Sequence, residues 1–354
     1  MIARPHLYVV LLSLALVGMG PAPSASRDSR PVPLSLPPEG KLYHGVYPGR
    51  FQGSESDIRP ADLEAYEQAV GRKVAWVYFS NEWSVDRTFP RATAEWIRAR
   101  GAVPFIRLML RSSTDLGRPE RIFTLEAIAR GTFDRDLRDW GDAARAFRTP
   151  ILLEFGTEVN GRWFPWNEIH NAPNGPARFR KAYRHLVDVI RSRGATNVSW
   201  VFHVNAADDP QTASNRLEGY YPGDDVVSWL AVSAYGVQTP LQSSSAPFVA
   251  QMDAAVTRLT RLAPNKPILL AEFGMVSSHP VERVVPWAEA ALTSLLQNRW
   301  PQVRGFAWWN SAWENDTVPS HNSEMRVQAV PELARVFRTK LASPLVLDTP
   351  SFDQ

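Results

Sequence analysis

The sequence predicts an α/β protein folded as a single-domain (β/α)8 TIM barrel, and three observations carry that prediction. Eight short apolar runs recur at 42–46, 74–79, 103–110, 151–155, 198–204, 229–235, 268–273 and 303–309, the pattern of strands buried on both faces of a parallel sheet. Amphipathic stretches fill most of the gaps between them, as crossover helices do. The rival architecture, a doubly wound open sheet, has no support from a phosphate loop, because neither GxGxxG nor GxxxxGK[ST] occurs.

In chain order, the run at 42–46 is the first strand, followed by helix at 61–70, strand at 74–79, helix at 92–100 and strand at 103–110. One long helix is expected over 125–147, then the strand at 151–155. Phe179, Tyr183, Leu186, Val187 and Ile190 fall at i, i+4, i+7, i+8 and i+11, making one apolar helix face, and Gly194 stands where that helix should stop. After the strand at 198–204, the connection 208–227 has the least helical character. Helices at 247–262 and 281–296 flank the seventh strand. A last helix is expected over 324–337, after the eighth strand.

The chain has 354 residues, no Cys and a net charge of +3 with Lys and Arg scattered. Disulfides and a thiolate zinc site are thereby excluded, and no basic patch marks a nucleic-acid partner. Arg4, the apolar run at 8–19 and the small residues around 22–25 form a secretory signal peptide over 1–25. The expected location is secreted or periplasmic, with no stable membrane insertion after cleavage. Residues 26–40 are a Pro- and Ser-rich linker, 41–340 the barrel and 341–354 a C-terminal tail.

Active sites of such barrels lie at the C-terminal strand ends, and here those ends carry polar, acidic and aromatic residues. His44 lies in the first strand; Asn81, Glu82 and Trp83 follow the second, and the third ends near Arg111. Thr157, Glu158 and Asn160 follow the fourth. His203 and Asn205 end the fifth, Tyr235 the sixth, Glu272 the seventh, and Trp308, Trp309 and Asn310 the eighth. Two opposed carboxyls, Glu158 and Glu272, can cleave a glycosidic bond if one protonates the leaving oxygen while the other attacks or stabilises the anomeric carbon. Tyr235 can donate its hydroxyl to Glu272 and favour the anion. The 13 Trp supply flat platforms on which the C–H faces of sugars stack.

The stretch "EVNGRWFPW" at 158–166 resembles the acid/base motif of glycoside hydrolase family 26, and "KPILLAEFG" at 266–274 resembles its nucleophile strand. "YYPGDDVVSWLAVSAYG" at 220–236 is similar to its sixth-strand segment; "VSWVFHVNA" and "VRGFAWWN" resemble the fifth and eighth strands more loosely. The resemblance spans roughly residues 41–315 and implies a secreted, retaining, endo-acting barrel enzyme of clan A, mannanase-like, with no metal and no organic cofactor. It makes Glu158 the general acid/base, Glu272 the nucleophile and Tyr235 its hydrogen-bond partner, with Trp163 and Trp309 touching sugar. Where the family usually has His before the acid/base, this chain has Thr157, and Glu154 stands where an Arg often precedes.

The expected substrate is a β-linked polysaccharide or oligosaccharide: mannan, β-glucan, xylan or a bacterial exopolysaccharide. Two alternatives stand beside hydrolysis: a non-catalytic carbohydrate-binding barrel in polysaccharide secretion or matrix formation, and a transglycosylase on the same polymer. Asn205, His203 and His44 are further candidate substrate contacts. Glu154 reads as structural, with Arg107 as its charge partner, and Trp76, Trp96, Trp140 and Trp200 read as core.

Overall fold

In the computed structural model, which describes residues 31–278 and 281–352, the apolar runs become strands of one closed parallel barrel. The elements run β1 (Leu42–Phe51), α1 (Pro60–Val70), β2 (Trp76–Glu82), α2 (Arg91–Ala99), β3 (Val103–Met109), α3 (Leu125–Ala129), α4 (Asp134–Phe147) and β4 (Ile151–Phe155). Next come α5 (Glu168–Asn171), α6 (Gly175–Arg191), β5 (Val198–Asn205), α7 (Leu217–Tyr220), β6 (Trp229–Tyr235), α8 (Phe248–Leu262) and β7 (Ile268–Gly274). The chain finishes with α9 (Val281–Leu296), β8 (Val303–Trp313), β9 (Ser323–Glu324), α10 (Pro331–Leu341) and β10 (Val346–Leu347). Each of β1 to β8 pairs in parallel with its sequence neighbour, and β1 closes the ring on β8 with Tyr43 opposite Gly305 and Tyr47 opposite Trp309.

Strand alternation sorts residues between the barrel interior and the helical layer. On β1, Gly45 faces inward. A Cβ there would lie 2.1 Å from Trp76 Nε1, and one at Gly305 of β8 would lie 2.3 Å from Trp76 Cη2. Both glycines therefore make room for the Trp76 indole, which is wholly buried. Trp140 and Trp200 are likewise fully buried, whereas Trp96 on α2 is only partly so. The face of α6 read from the sequence is the buried one, and Gly194 follows the helix at φ +78°.

Two expected helices change. The stretch 125–147 is two helices, because Gly131 at φ +81° turns the chain between α3 and α4, a conformation that glycine adopts without strain. The last helix begins at Pro331 rather than at 324, with Glu324 in β9 and proline in the first turn; a fixed φ and missing N–H suit proline to a helix start. The connection after β5 holds only α7 and one 3₁₀ turn, Ala213–Asn215.

The segment 31–40 is held against the N-terminal end of the barrel. Val32 N donates to Arg148 O at 3.3 Å, Ser35 N to Ser351 O at 2.9 Å, and Arg304 Nη2 to Pro38 O at 2.8 Å. In the C-terminal stretch, β10 pairs with β1 through Leu42–Val346 and Tyr43–Leu347. The expected signal peptide at 1–25 lies outside the described residues. Among the described residues no helix is long and apolar enough to cross a membrane.

Candidate active site

The C-terminal strand ends surround a cleft of about 670 Å³ whose lining includes Glu158, Glu272, Trp163, Trp309, Tyr235 and Asn205. Glu158 reaches it through a strained turn. Gly156 stands at φ +77°, and a Cβ there would meet Phe179 Cε2 at 2.2 Å; two residues later Glu158 itself has φ +46°. A non-glycine residue held in the left-handed region costs on the order of 1–3 kcal/mol, so its surroundings must fix it. Val159 N donates to His203 O at 3.2 Å and Gly161 N to Glu158 O at 2.7 Å. Asn160 accepts from Asn205 N at 2.7 Å and donates to Asp208 Oδ1 at 2.9 Å. Trp163 lies across Gly161, where a Cβ would be 2.3 Å from its Cζ2, and its Nε1 donates to Glu158 Oε2 at 2.7 Å.

Glu272, only 4% exposed, stands where the β6–β7 and β7–β8 registers shift. Its Oε2 accepts from the Tyr235 hydroxyl at 2.8 Å and its Oε1 from the Tyr78 hydroxyl at 3.0 Å. Arg107 Nη2 lies 3.9 Å from Oε1. Burial pushes this carboxyl up to about 7; Arg107 pulls it down, and the charge of Glu158 pushes it further up. The direction is set by desolvation, which penalises the anion more than the nearby guanidinium favours it. Such a group becomes fully ionised only as the pH rises through neutrality.

Two arginines brace the cleft. Arg107 Nη1 donates to Glu55 Oε2 at 2.6 Å and its Nε lies 3.5 Å from Glu154 Oε1. Arg111 makes a two-pronged pair with Glu82 at 2.9 and 2.5 Å, both side chains buried. Paired buried charges of this kind fix geometry more than they stabilise. Trp309 stacks on Tyr47 with ring centres 3.9 Å apart, which holds its indole as one wall of the cleft.

Sequence reasoning placed Glu158, Glu272, Tyr235, Trp163, Trp309 and Asn205 at the cleft, and the structure brings all six there. Two candidates are corrected. His44 alternates outward from β1 toward α1, where its Nε2 meets the Tyr66 hydroxyl at 2.8 Å and its Nδ1 the Lys73 carbonyl at 3.2 Å. Burial lowers its pKa to about 4, so it is a neutral histidine of the helix–barrel interface. His203 points inward but lies beneath the cleft, fully buried between Glu154, Thr157 and Ser233. Neither can touch a sugar. Trp166 is also core: its Nε1 donates to Thr157 O at 2.8 Å and its ring stacks on Phe164. Tyr78, Tyr47 and Glu55 were missed. The available signal was strand parity, since Tyr78 shares the inward face of β2 with Ser80, whose hydroxyl donates to Glu55.

Residues 123–283, which contain both glutamates, match the family model described as glycosyl hydrolase family 26. The chain is 26% identical over 313 residues to Endoglucanase H of Acetivibrio thermocellus, covering 88% of this chain and 32% of that protein. It is 23% identical over 252 residues to Beta-1,3-xylanase TXYA of a Vibrio species, covering 62% and 49% respectively. The chain thus spans a third to a half of the length of the curated relatives it matches. The solved structure of a GH26 beta-mannanase from Bacteroides ovatus, BoMan26A, is similar with TM-score 0.61 and 17% identity over 87% of this chain and 90% of that one. GH26C from Muricauda sp. MAR_2010_75 is similar with TM-score 0.62 and 15% identity over 87% of each chain. These two likenesses concern the fold.

Proposed function

We propose that this chain, whose residues 123–283 match the model of glycosyl hydrolase family 26, is an endo-acting retaining glycoside hydrolase of a neutral β-linked glycan. The observation that carries the reading is the opening of Glu158 and Glu272 onto one cleft between the indoles of Trp163 and Trp309. Glu272 attacks the anomeric carbon while Glu158 protonates the departing oxygen; Glu158 then takes a proton from water, which releases the sugar from Glu272. Trp163 orients Glu158 through its Nε1–H, and Tyr235 orients Glu272.

A neutral backbone is favoured because both cleft arginines are already bonded to glutamates, leaving neither to receive a uronic acid. Among neutral polymers, β-glucan is the first choice, since the match covering most of the chain is to a protein named as an endoglucanase; β-1,3-xylan and mannan follow. Incubation with each polymer, with product lengths and the anomeric configuration of the first-formed ends read by NMR, tests substrate, endo action and retention together. Glu158→Gln is expected to slow cleavage about 10²- to 10⁴-fold, the usual worth of general acid–base catalysis, and Glu272→Gln to abolish it. Cleavage of none of the polymers, or near-normal rates in both variants, would overturn the proposal. The same reading places the enzyme in the periplasm or the medium on the character of residues 1–25; the mass of the exported protein checks it.

A further inference from the structure

A polar layer beneath the cleft holds groups that none of the steps above uses. Glu154 of β4 is fully buried inside the barrel. Its Oε2 lies 2.9 Å from His203 Nδ1, and its Oε1 accepts from the Tyr78 hydroxyl at 2.6 Å. Burial opposes the Glu154 anion, yet His203 and Arg107 bring its pKa below the ordinary value. Burial likewise opposes the His203 cation, yet Glu154 raises it. The two form an ion pair inside the barrel. Tyr78, equally buried, has one hydroxyl proton and two carboxylate acceptors: Glu154 at 2.6 Å and Glu272 at 3.0 Å. A single proton cannot serve both fully. The shorter contact favours Glu154.

The other groups facing Glu272 are Arg107 from β3, Glu158 from the turn after β4, His203 from β5 and Tyr235 from β6. Tyr47 of β1 and the Arg107-bound Glu55 complete the set. None of these links Glu154 to Glu272 by a hydrogen-bonded bridge except Tyr78.

We propose that Glu154 is a positioning residue for the reaction at Glu272: by competing for the one proton of Tyr78 it withholds part of that hydrogen bond and keeps the nucleophile a less stabilised, more reactive anion. This rests on Glu272 being the nucleophile. Its test reads Glu272 without requiring turnover. The full chain is labelled with glutamate carrying carboxyl ¹³C and titrated by NMR, the Glu272 resonance being identified by its loss in Glu272→Gln.

Tyr78→Phe removes a donor and is expected to raise the Glu272 midpoint by about one pH unit. Glu154→Gln is expected to lower it by a similar amount, because a neutral amide is the weaker acceptor and Tyr78 turns to Glu272. Glu154 supports the His203 charge, and the two act on Glu272 in opposite directions, His203 lowering its midpoint and Glu154 raising it; the comparison with and without Tyr78 separates this field effect from the hydrogen bond. Glu154→Asp, which keeps the ion pair while drawing the acceptor back, moves the midpoint in the same direction. In the Tyr78→Phe background Glu154→Gln adds little, the non-additivity of residues that act through one another. A midpoint unmoved by both Glu154 changes, or moved equally with and without Tyr78, overturns the proposal. Absence of hydrolysis in the unmodified protein would instead sink the enzymatic reading while leaving these titrations interpretable.

Discussion

Glu272→Gln should make the protein inactive and, at alkaline pH, more stable. In the folded chain the carboxyl of Glu272 is raised from 4.5 to about 7, chiefly by burial. A pKa that differs by one between the folded and unfolded states is worth about 1.4 kcal/mol, so the ionised side chain costs about 3 kcal/mol. The sign follows from proton linkage. A carboxyl with a raised folded pKa binds its proton more tightly when folded, so its favourable contribution is complete below pH about 4.5 and is lost as the pH rises through 7. Glutamine does not titrate and keeps nearly the same shape. Arg107 retains Glu55 and Glu154 as partners in the variant. The stability gain should therefore be near zero at pH 4.5, grow up to pH 7 and level off above it. For a domain of this size unfolding entropy is on the order of 0.7 kcal/mol per degree, which turns 3 kcal/mol into a Tm gain of about 4 °C at pH 8. Thermal denaturation of both proteins followed by circular dichroism from pH 4.5 to 8 measures it. A variant no more stable than the parent at pH 8, or a gain independent of pH, would refute the argument that burial dominates at Glu272.

Two further outcomes follow from the same geometry. Arg107→Met leaves the buried carboxylates of Glu154 and Glu272 without their guanidinium; urea denaturation at pH 8 should show a loss of about 3–5 kcal/mol, reduced at pH 5 where Glu272 takes up a proton. Gly156→Ala forces a side chain into φ +77° and against Phe179. It should cost about 2–4 kcal/mol in the same assay and lower turnover as well, because the displaced turn carries Glu158.

Parallel strands inside a barrel are covered on both faces, so each appears as an apolar run that composition alone exposes. That is why β4, Ile151–Phe155, and β6, Trp229–Tyr235, were legible at their full extents. Helix boundaries were legible where a local rule was heeded, as at Gly194, and misread where one was passed over, as at Gly131 and Pro331. The catalytic candidates were legible because barrel chemistry sits at strand ends and because both glutamates lie in distinctive stretches.

The sequence by itself determined the barrel, the rim and six of the side chains that meet at the cleft, since each depends on local pattern and strand order. Tertiary structure decided everything that depends on which way a strand faces and on what closes against it. His44 went to the helical layer by the alternation of β1, and His203 went below the cleft, where Glu154, 49 positions away, meets its ring nitrogen. Tyr78 joins Glu154 and Glu272 across separations of 76 and 194 positions. No local pattern encodes a bridge of that span: it exists only once the ring has closed and burial has obliged each polar group to find a partner.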